Sequence, residues 1–254
     1  MPTCTREDAE IYFEEFGSGF PVLLFSPGGM WSNIEKWRTG SEDATRPVHN
    51  WTEELAGKFR VIAMDQRNAN RSTGAIEADH GWDTYTNDQL AIMDQLGIDK
   101  FHTLGACIGG SYCLNIARLA PDRTASVVLQ NPIGLHPDHP NYFPGTVDTW
   151  SAELMETRDD IKADAVAAFK ENMFGANCAS RDFVFSVNRE FFKTLKTPAM
   201  LMHGKDKPHP AATSAELEKL LPESAQLLKD WERPDHADVQ RDTVIQFLEA
   251  NTPK

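Results

Sequence analysis

Short apolar runs recur along the chain, each followed by a polar turn and an amphipathic stretch. The runs at 22–25, 61–64, 101–104, 127–129 and 200–202 are nearly continuous in apolar residues. That is what a strand needs when both faces of a parallel sheet are covered. A weaker run lies at 225–228, and 11–16 alternates loosely, as an antiparallel edge strand would. Between the runs, Leu90, Met93 and Leu96 share one helix face. A helical stretch over 112–120 stops at Pro121, which cannot continue a helix. Leu217, Leu220 and Leu221 mark another helix, with Thr213 or Ser214 as its N-cap, and Val244, Phe247 and Leu248 mark a closing one. Strands alternating with helices predict an α/β fold: a mostly parallel central sheet with helices on both faces and right-handed crossovers.

One stretch breaks this rhythm. Residues 132–197 carry no strand signal, open with Pro132, Pro137, Pro140 and Pro144, and then show helical spacing. The spacing falls at Val166, Phe169 and Met173, and again at Val184, Val187, Phe191 and Leu195. The segment is too long for a loop in a compact domain. The chain therefore divides into an α/β core over 1–131 and 198–254, with a helical insertion over 132–197 lying across the sheet.

Composition narrows the class of partner. The chain has 254 residues and a net charge of −13, from 25 Lys and Arg against 38 Asp and Glu. No run of basic residues is present, which argues against nucleic acid and against an anionic membrane surface. No apolar run reaches the length of a membrane span, and the first residues lack the pattern of a signal peptide. Four cysteines in a chain of this size do not suggest a disulfide framework, so reduced thiols and a cytoplasmic location are expected. A small-molecule substrate is the expected partner, and a homodimer stays open.

The strongest chemical signal is Gly105-Ala106-Cys107-Ile108-Gly109-Gly110, placed between the third buried run and the helix that follows. G-x-C-x-G at a strand-to-helix turn is the nucleophile-elbow pattern with Cys in the place of Ser. The glycines keep side chains out of a tight turn, and the helix N-terminus directs free N–H groups at the sulfur, which favours thiolate. Two other turns belong with it. The first buried run ends in Ser26-Pro27-Gly28-Gly29-Met30, and the second ends in Asp65-Gln66-Arg67-Asn68-Ala69-Asn70-Arg71-Ser72. Asn68 and Asn70 stand where glycine is usual in such a turn, and Asn tolerates positive φ better than most residues.

With these motifs the chain resembles the α/β-hydrolase fold superfamily over nearly its whole length, in the capped esterase and C–C hydrolase branch. The resemblance implies that the insertion is a helical cap and that a triad follows in the order nucleophile, acid, histidine. Cys107 is then the nucleophile. Asp206, the only acid in His203-Gly204-Lys205-Asp206-Lys207-Pro208, is the triad acid, and His236, before the closing helix, is the base. Backbone N–H groups of Ile108 and of Gly29 or Met30 form the oxyanion hole, and Trp31, Phe143 and Trp150 line the substrate pocket. The implied activity is hydrolysis of a small ester, lactone, thioester or related carbonyl compound through an acyl-thioester, without cofactor or metal. Acyl transfer or C–C hydrolysis on the same residues are the alternatives, and a non-catalytic receptor is the alternative of a different class. His136 and His139 do not suggest a metal pair, because prolines break the helix that would align them. His203 and His209 are expected to serve loop structure, His102 to pack in or beside the sheet, and Cys113 to be core.

Overall fold

The computed structural model describes residues 2–38, 49–232 and 234–254. The chain opens with β1 (Thr3–Thr5), β2 (Ala9–Phe16) and β3 (Phe20–Phe25), a 3-10 turn at Gly29–Trp31, and the short helices α1 (Glu35–Arg38) and α2 (Trp51–Glu54). It continues through β4 (Phe59–Met64), β5 (Thr73–Gly74), α3 (Trp82–Gln95), β6 (Phe101–Ala106), α4 (Ile108–Leu119) and β7 (Thr124–Gln130). Then come α5 (Tyr142–Met155), α6 (Ala163–Phe174), β8 (Ala199–Met202), α7 (Ala211–Leu220), β9 (Gln226–Leu228) and α8 (Ala237–Ala250).

Among the described residues the strands form one sheet in the order β1-β2-β4-β3-β6-β7-β8-β9, with β5 beside β2. Pairing is parallel from β4 through β9 and antiparallel around β2. Alternate residues of each central strand enter opposite cores. Leu23, Phe25, Ile62, Val127, Leu129 and Leu201 face one, while Val22, Leu24, Val61, Val128 and Met200 face the other. This two-sided burial is why the strands read as continuous apolar runs.

The β4–β5 connection is held by buried charge. Arg67 bonds Asp88 at 2.8 and 2.9 Å and Asp8 at 2.6 and 3.1 Å. Buried Asp65 accepts the Ile34 N–H at 2.9 Å and Arg71 Nε at 2.7 Å. Asn68 and Asn70 both adopt positive φ, 58° and 53°.

Between β7 and β8 the chain builds α5 and α6, which pack over the loops that follow β3 and β4. Trp150 Nε1 bonds the Asn68 carbonyl at 3.1 Å, Arg158 bonds the Asn68 side chain at 2.7 Å, and Trp31 Nε1 bonds Glu153 at 2.7 Å. The spacing at Val184, Val187, Phe191 and Leu195 does not produce an α-helix; Arg189–Lys193 form a 3-10 turn. Side chain–backbone bonds hold this stretch against α4: Ser111 Oγ donates to the Val184 carbonyl and Ser186 Oγ to the Ser111 carbonyl, with Phe185 at φ 64° between them. These local bonds override the helical period. Thr213 and Ser214 do not cap α7. Pro210 stands at the cap, and Ser214 Oγ accepts the Gly204 N–H instead. Among the described residues no helix is long and apolar enough to cross a membrane.

Candidate active site

The chain runs from β3 to β4 on one side and then returns to place β6 on the other side of β3. The C-terminal ends of β3 and β6 thus flank a reversal of strand order, where loops diverge and leave a crevice. Phe25 and Gly105 pair across it, so the turn at 26–31 and the elbow at Cys107 lie side by side.

Cys107 sits at φ 59°, ψ −121°, a strained conformation for a residue with a side chain. Neighbouring bonds fix it. Its N–H donates to the Gln130 carbonyl at 3.0 Å, and its carbonyl accepts the Gly110 N–H at 3.1 Å. A Cβ at Gly105 would overlap the Gly109 carbonyl, and one at Gly109 would lie 2.8 Å from Phe25 Cβ. Backbone on both sides leaves no room to yield. Gly105→Ala is therefore expected to cost at least about 3 kcal/mol, seen as a fall of roughly 6–12 °C in the thermal unfolding midpoint.

The Cys107 thiol is 9% exposed. Burial alone would raise its pKa. The charge of His209, a side-chain approach from the same imidazole, and hydrogen bonds from the Gly28 and Ile108 N–H groups outweigh burial and lower it. Cys113, six residues along α4, shows the contrast: with burial dominant its thiol is pushed up to about 12. Burial likewise opposes the charged form of His209. The Cys107 thiolate and the Asp206 carboxylate reverse this and raise His209 to about 9. Thiolate and imidazolium thus stabilise each other.

Asp206 and His209 share one loop. Asp206 Oδ1 accepts from His209 Nδ1 at 2.6 Å and from its backbone N–H at 3.0 Å. The Asp206 N–H donates to the His209 carbonyl and the His209 N–H to the Asp206 carbonyl, both at 3.2 Å. With Nδ1 committed to Asp206, Nε2 is the nitrogen left for the thiol. It is buried without a hydrogen-bond partner, and the imidazole acts on the thiol through its charge.

The structure thus brings together Cys107, His209 and Asp206. It does not bring His236 to the thiol. His236 is the last residue of the 3-10 turn Pro234–His236 and caps α8, its side chain 42% exposed and 3.8 Å from Asp235. His209, expected to serve loop structure, does bond Asp206 within its loop, and it also lies beside Cys107. Its signal was in the sequence: a histidine three residues after the acid, between Pro208 and Pro210, which restrict the backbone before them.

On the β3 loop it is the Gly28 backbone that, with the Ile108 backbone, helps to lower the Cys107 pKa. Gly29 (φ 59°) and buried Met30 form the adjoining turn. The expected pocket aromatics are engaged in packing. Phe143 lies 5.5 Å from both Phe174 and Phe185, Trp150 packs on Phe169, and half-buried Trp31 holds Glu153. Tyr142, next to Phe143, is electrostatically coupled to the site. Burial first, then the charges of Cys107 and Asp206, push its phenol up. The His136 and His139 rings lie 5.0 Å apart at a tilt of 43°, and among the described residues no group of three His, Cys, Asp or Glu is placed to hold a metal.

The sequence profile described as alpha/beta hydrolase fold matches residues 21–168, more than half of the chain. The chain belongs to this family. Among hydrolase relatives, it is 30% identical over 129 residues to a 2-hydroxy-6-oxo-6-phenylhexa-2,4-dienoate hydrolase of Burkholderia cepacia, a match over 49% of this chain and 41% of that protein. It is 24% identical over 233 residues to the bifunctional esterase/perhydrolase DCH of Acinetobacter calcoaceticus, covering 80% of each. The chain thus spans less than half the length of the first relative and most of the second. The meta-cleavage product hydrolase CumD of Pseudomonas fluorescens IP01 superimposes with a TM-score of 0.68 at 21% identity over 96% of each chain, which shows the shared fold. In this hydrolase family the elbow at Cys107 stands at the strand-to-helix turn expected of a nucleophile.

Proposed function

We propose that the chain is a cysteine-dependent hydrolase of small esters, thioesters or lactones, with Cys107 as nucleophile, His209 as acid–base and Asp206 orienting the imidazole. The observation that carries this reading is the coupled arrangement of Cys107, His209 and Asp206: a buried thiol with a lowered pKa facing a histidine whose second nitrogen is held by a carboxylate. The thiolate attacks the acyl carbon, and the carbonyl oxygen gains charge as the C–S bond forms. The Gly28 and Ile108 N–H groups, which favour the thiolate at rest, then stabilise that oxygen. The tetrahedral species collapses to a thioester, and the leaving group takes the His209 proton. Neutral His209 removes a proton from water, hydroxide attacks the thioester, and the acid leaves as Cys107 returns to thiolate and His209 to imidazolium. The segment carrying α5 and α6 serves as a cap in this reading. The kinship with a dienoate hydrolase and the likeness to a meta-cleavage product hydrolase favour C–C cleavage on the same residues as a second reading.

Incubation with activated esters, thioesters and enol-lactones, followed by intact-mass and peptide analysis, tests this. An acyl adduct at Cys107 with turnover is expected; turnover without any adduct at Cys107 under rapid quench would overturn the mechanism. The pH dependence has a definite sign. Activity needs thiolate and imidazolium together. It is lost as pH falls through the lowered Cys107 pKa, and again as pH rises through the His209 value of about 9. A bell-shaped kcat/KM profile with its alkaline limb near that value is expected.

A further inference from the structure

We propose that Ser214 is a positioning residue: by accepting the Gly204 N–H it holds the loop that carries both Asp206 and His209 in register with the Cys107 thiol. This rests on the reading of Cys107 and His209 as a catalytic pair. Here acid and base ride on one short segment between β8 and α7, so a shift of that segment displaces both together. The reciprocal bonds between Asp206 and His209 close it into a compact turn that can move as a unit unless it is anchored. Among the described residues, Ser214, Trp231 and the Lys205–Glu232 pair anchor it. Ser214 Oγ accepts the Gly204 N–H at 3.0 Å, Trp231 Nε1 donates to the His203 carbonyl at 2.7 Å, and Lys205 Nζ lies 2.8 Å from Glu232.

Ser214 has the most direct geometry. It is 0% exposed and lies in the first turns of α7, which begins immediately after His209 and Pro210. Its single bond therefore ties the start of the loop to the helix at the end of the loop. Gly204 is where the two ends meet. A Cβ there would stand 2.6 Å from His209 Cβ and 2.7 Å from the His209 carbonyl oxygen. The loop is thus closed tightly beneath His209, and the Ser214 hydroxyl satisfies the buried N–H at the closure. Alanine at 214 leaves that N–H unpaired, which favours an opened loop. Ser214 does not act on the sulfur itself; it acts through the placement of His209.

The test needs no natural substrate. The rate of Cys107 carbamidomethylation by iodoacetamide, in which the thiolate displaces iodide, is followed against pH and read at the Cys107 peptide, so that Cys4, Cys113 and Cys178 do not contribute. Wild type is expected to titrate below the ordinary thiol range, and His209→Gln to move the midpoint up. Ser214→Ala and Gly204→Ala are expected to move it in the same direction by roughly half a unit or more, and to lower kcat on an activated ester about 10- to 100-fold with KM within roughly threefold. Ser214→Thr, which keeps the hydroxyl, is expected to restore the low midpoint. If wild type titrates as an ordinary cysteine, or His209→Gln leaves the midpoint in place, the catalytic pair itself fails. If His209→Gln moves the midpoint while Ser214→Ala and Gly204→Ala titrate like wild type, the role of Ser214 is overturned. Should Ser214→Ala not fold, Ser214→Cys, which puts a weak acceptor in place of the hydroxyl, is read at the same peptide: a raised midpoint supports the role of Ser214 and a wild-type midpoint overturns it.

Discussion

His209→Gln is expected to lower kcat/KM by about 10²–10⁴-fold, whereas His236→Gln stays within roughly threefold. The two histidines differ in everything catalysis requires. His209 is buried, holds Asp206 through Nδ1 at 2.6 Å, and supports the Cys107 thiolate. His236 is half exposed at a helix cap, beside Asp235. Removing His209 also removes the positive charge that offsets burial of the thiol. The Cys107 pKa should therefore rise, and alkylation at neutral pH should slow in step with turnover. Glutamine keeps a polar side chain of similar reach in the Asp206 pocket, so a lost fold does not mimic the result. Steady-state rates on an activated ester for both variants are the measurement. The reverse ranking, with His236→Gln inactive and His209→Gln near wild type, would return the base to the turn before α8.

The sheet was legible because its physics is local. Each central strand feeds alternate side chains into two cores, so apolar residues dominate it, and a polar exception, His102 in β6, is buried with both ring nitrogens bonded, to Ser126 and Thr252. Strands β3, β4, β6, β7 and β8 accordingly coincide with the five apolar runs. The elbow was legible for a related reason: the close approach of the Gly109 carbonyl to Gly105 leaves only glycine there, so the constraint is written in residue type. Asn68 and Asn70 follow the same rule in milder form, at φ values that asparagine accepts.

The proposed base was less legible because its place depends on loop length and tertiary closure, which residue type does not encode. A histidine before a closing helix matched the family order. The short turn Pro234–His236 instead ends at the surface, while the Asp206–His209 turn folds its own histidine inward. The helical spacing from Val184 to Leu195 misled for another reason. Its apolar residues are buried, as a helix face would be, but Ser111 and Ser186 exchange bonds with the backbone and pin the chain in an irregular path. On the β3 loop, Gly28, Gly29 and Met30 differ by single residues, and both glycines take positive φ (118° and 59°), so residue type does not tell which N–H faces the sulfur.

Replacing the nucleophile separates an ion-pair mechanism from a neutral one. Cys107→Ala is expected to abolish turnover, by at least about 10⁴-fold, and to leave no acyl adduct. Cys107→Ser is the sharper test, since it restores the residue more usual at this elbow in the family. A serine hydroxyl does not ionise in the range where the thiol does, so the thiolate that raises His209 is gone. Burial then acts on His209 with only Asp206 to oppose it, and its pKa falls below the value of about 9 seen beside the thiolate. The neutral imidazole becomes the working form, as a base for the serine proton, rather than the imidazolium. The serine variant should therefore be slower by roughly 10²–10³-fold, and its pH profile should change shape. The alkaline fall near the His209 value disappears, and activity instead rises with pH through the lowered histidine pKa. A serine variant that keeps the wild-type alkaline limb would show that the limb does not belong to an imidazolium paired with the Cys107 thiolate, and the mechanism would have to be rebuilt around a different proton donor.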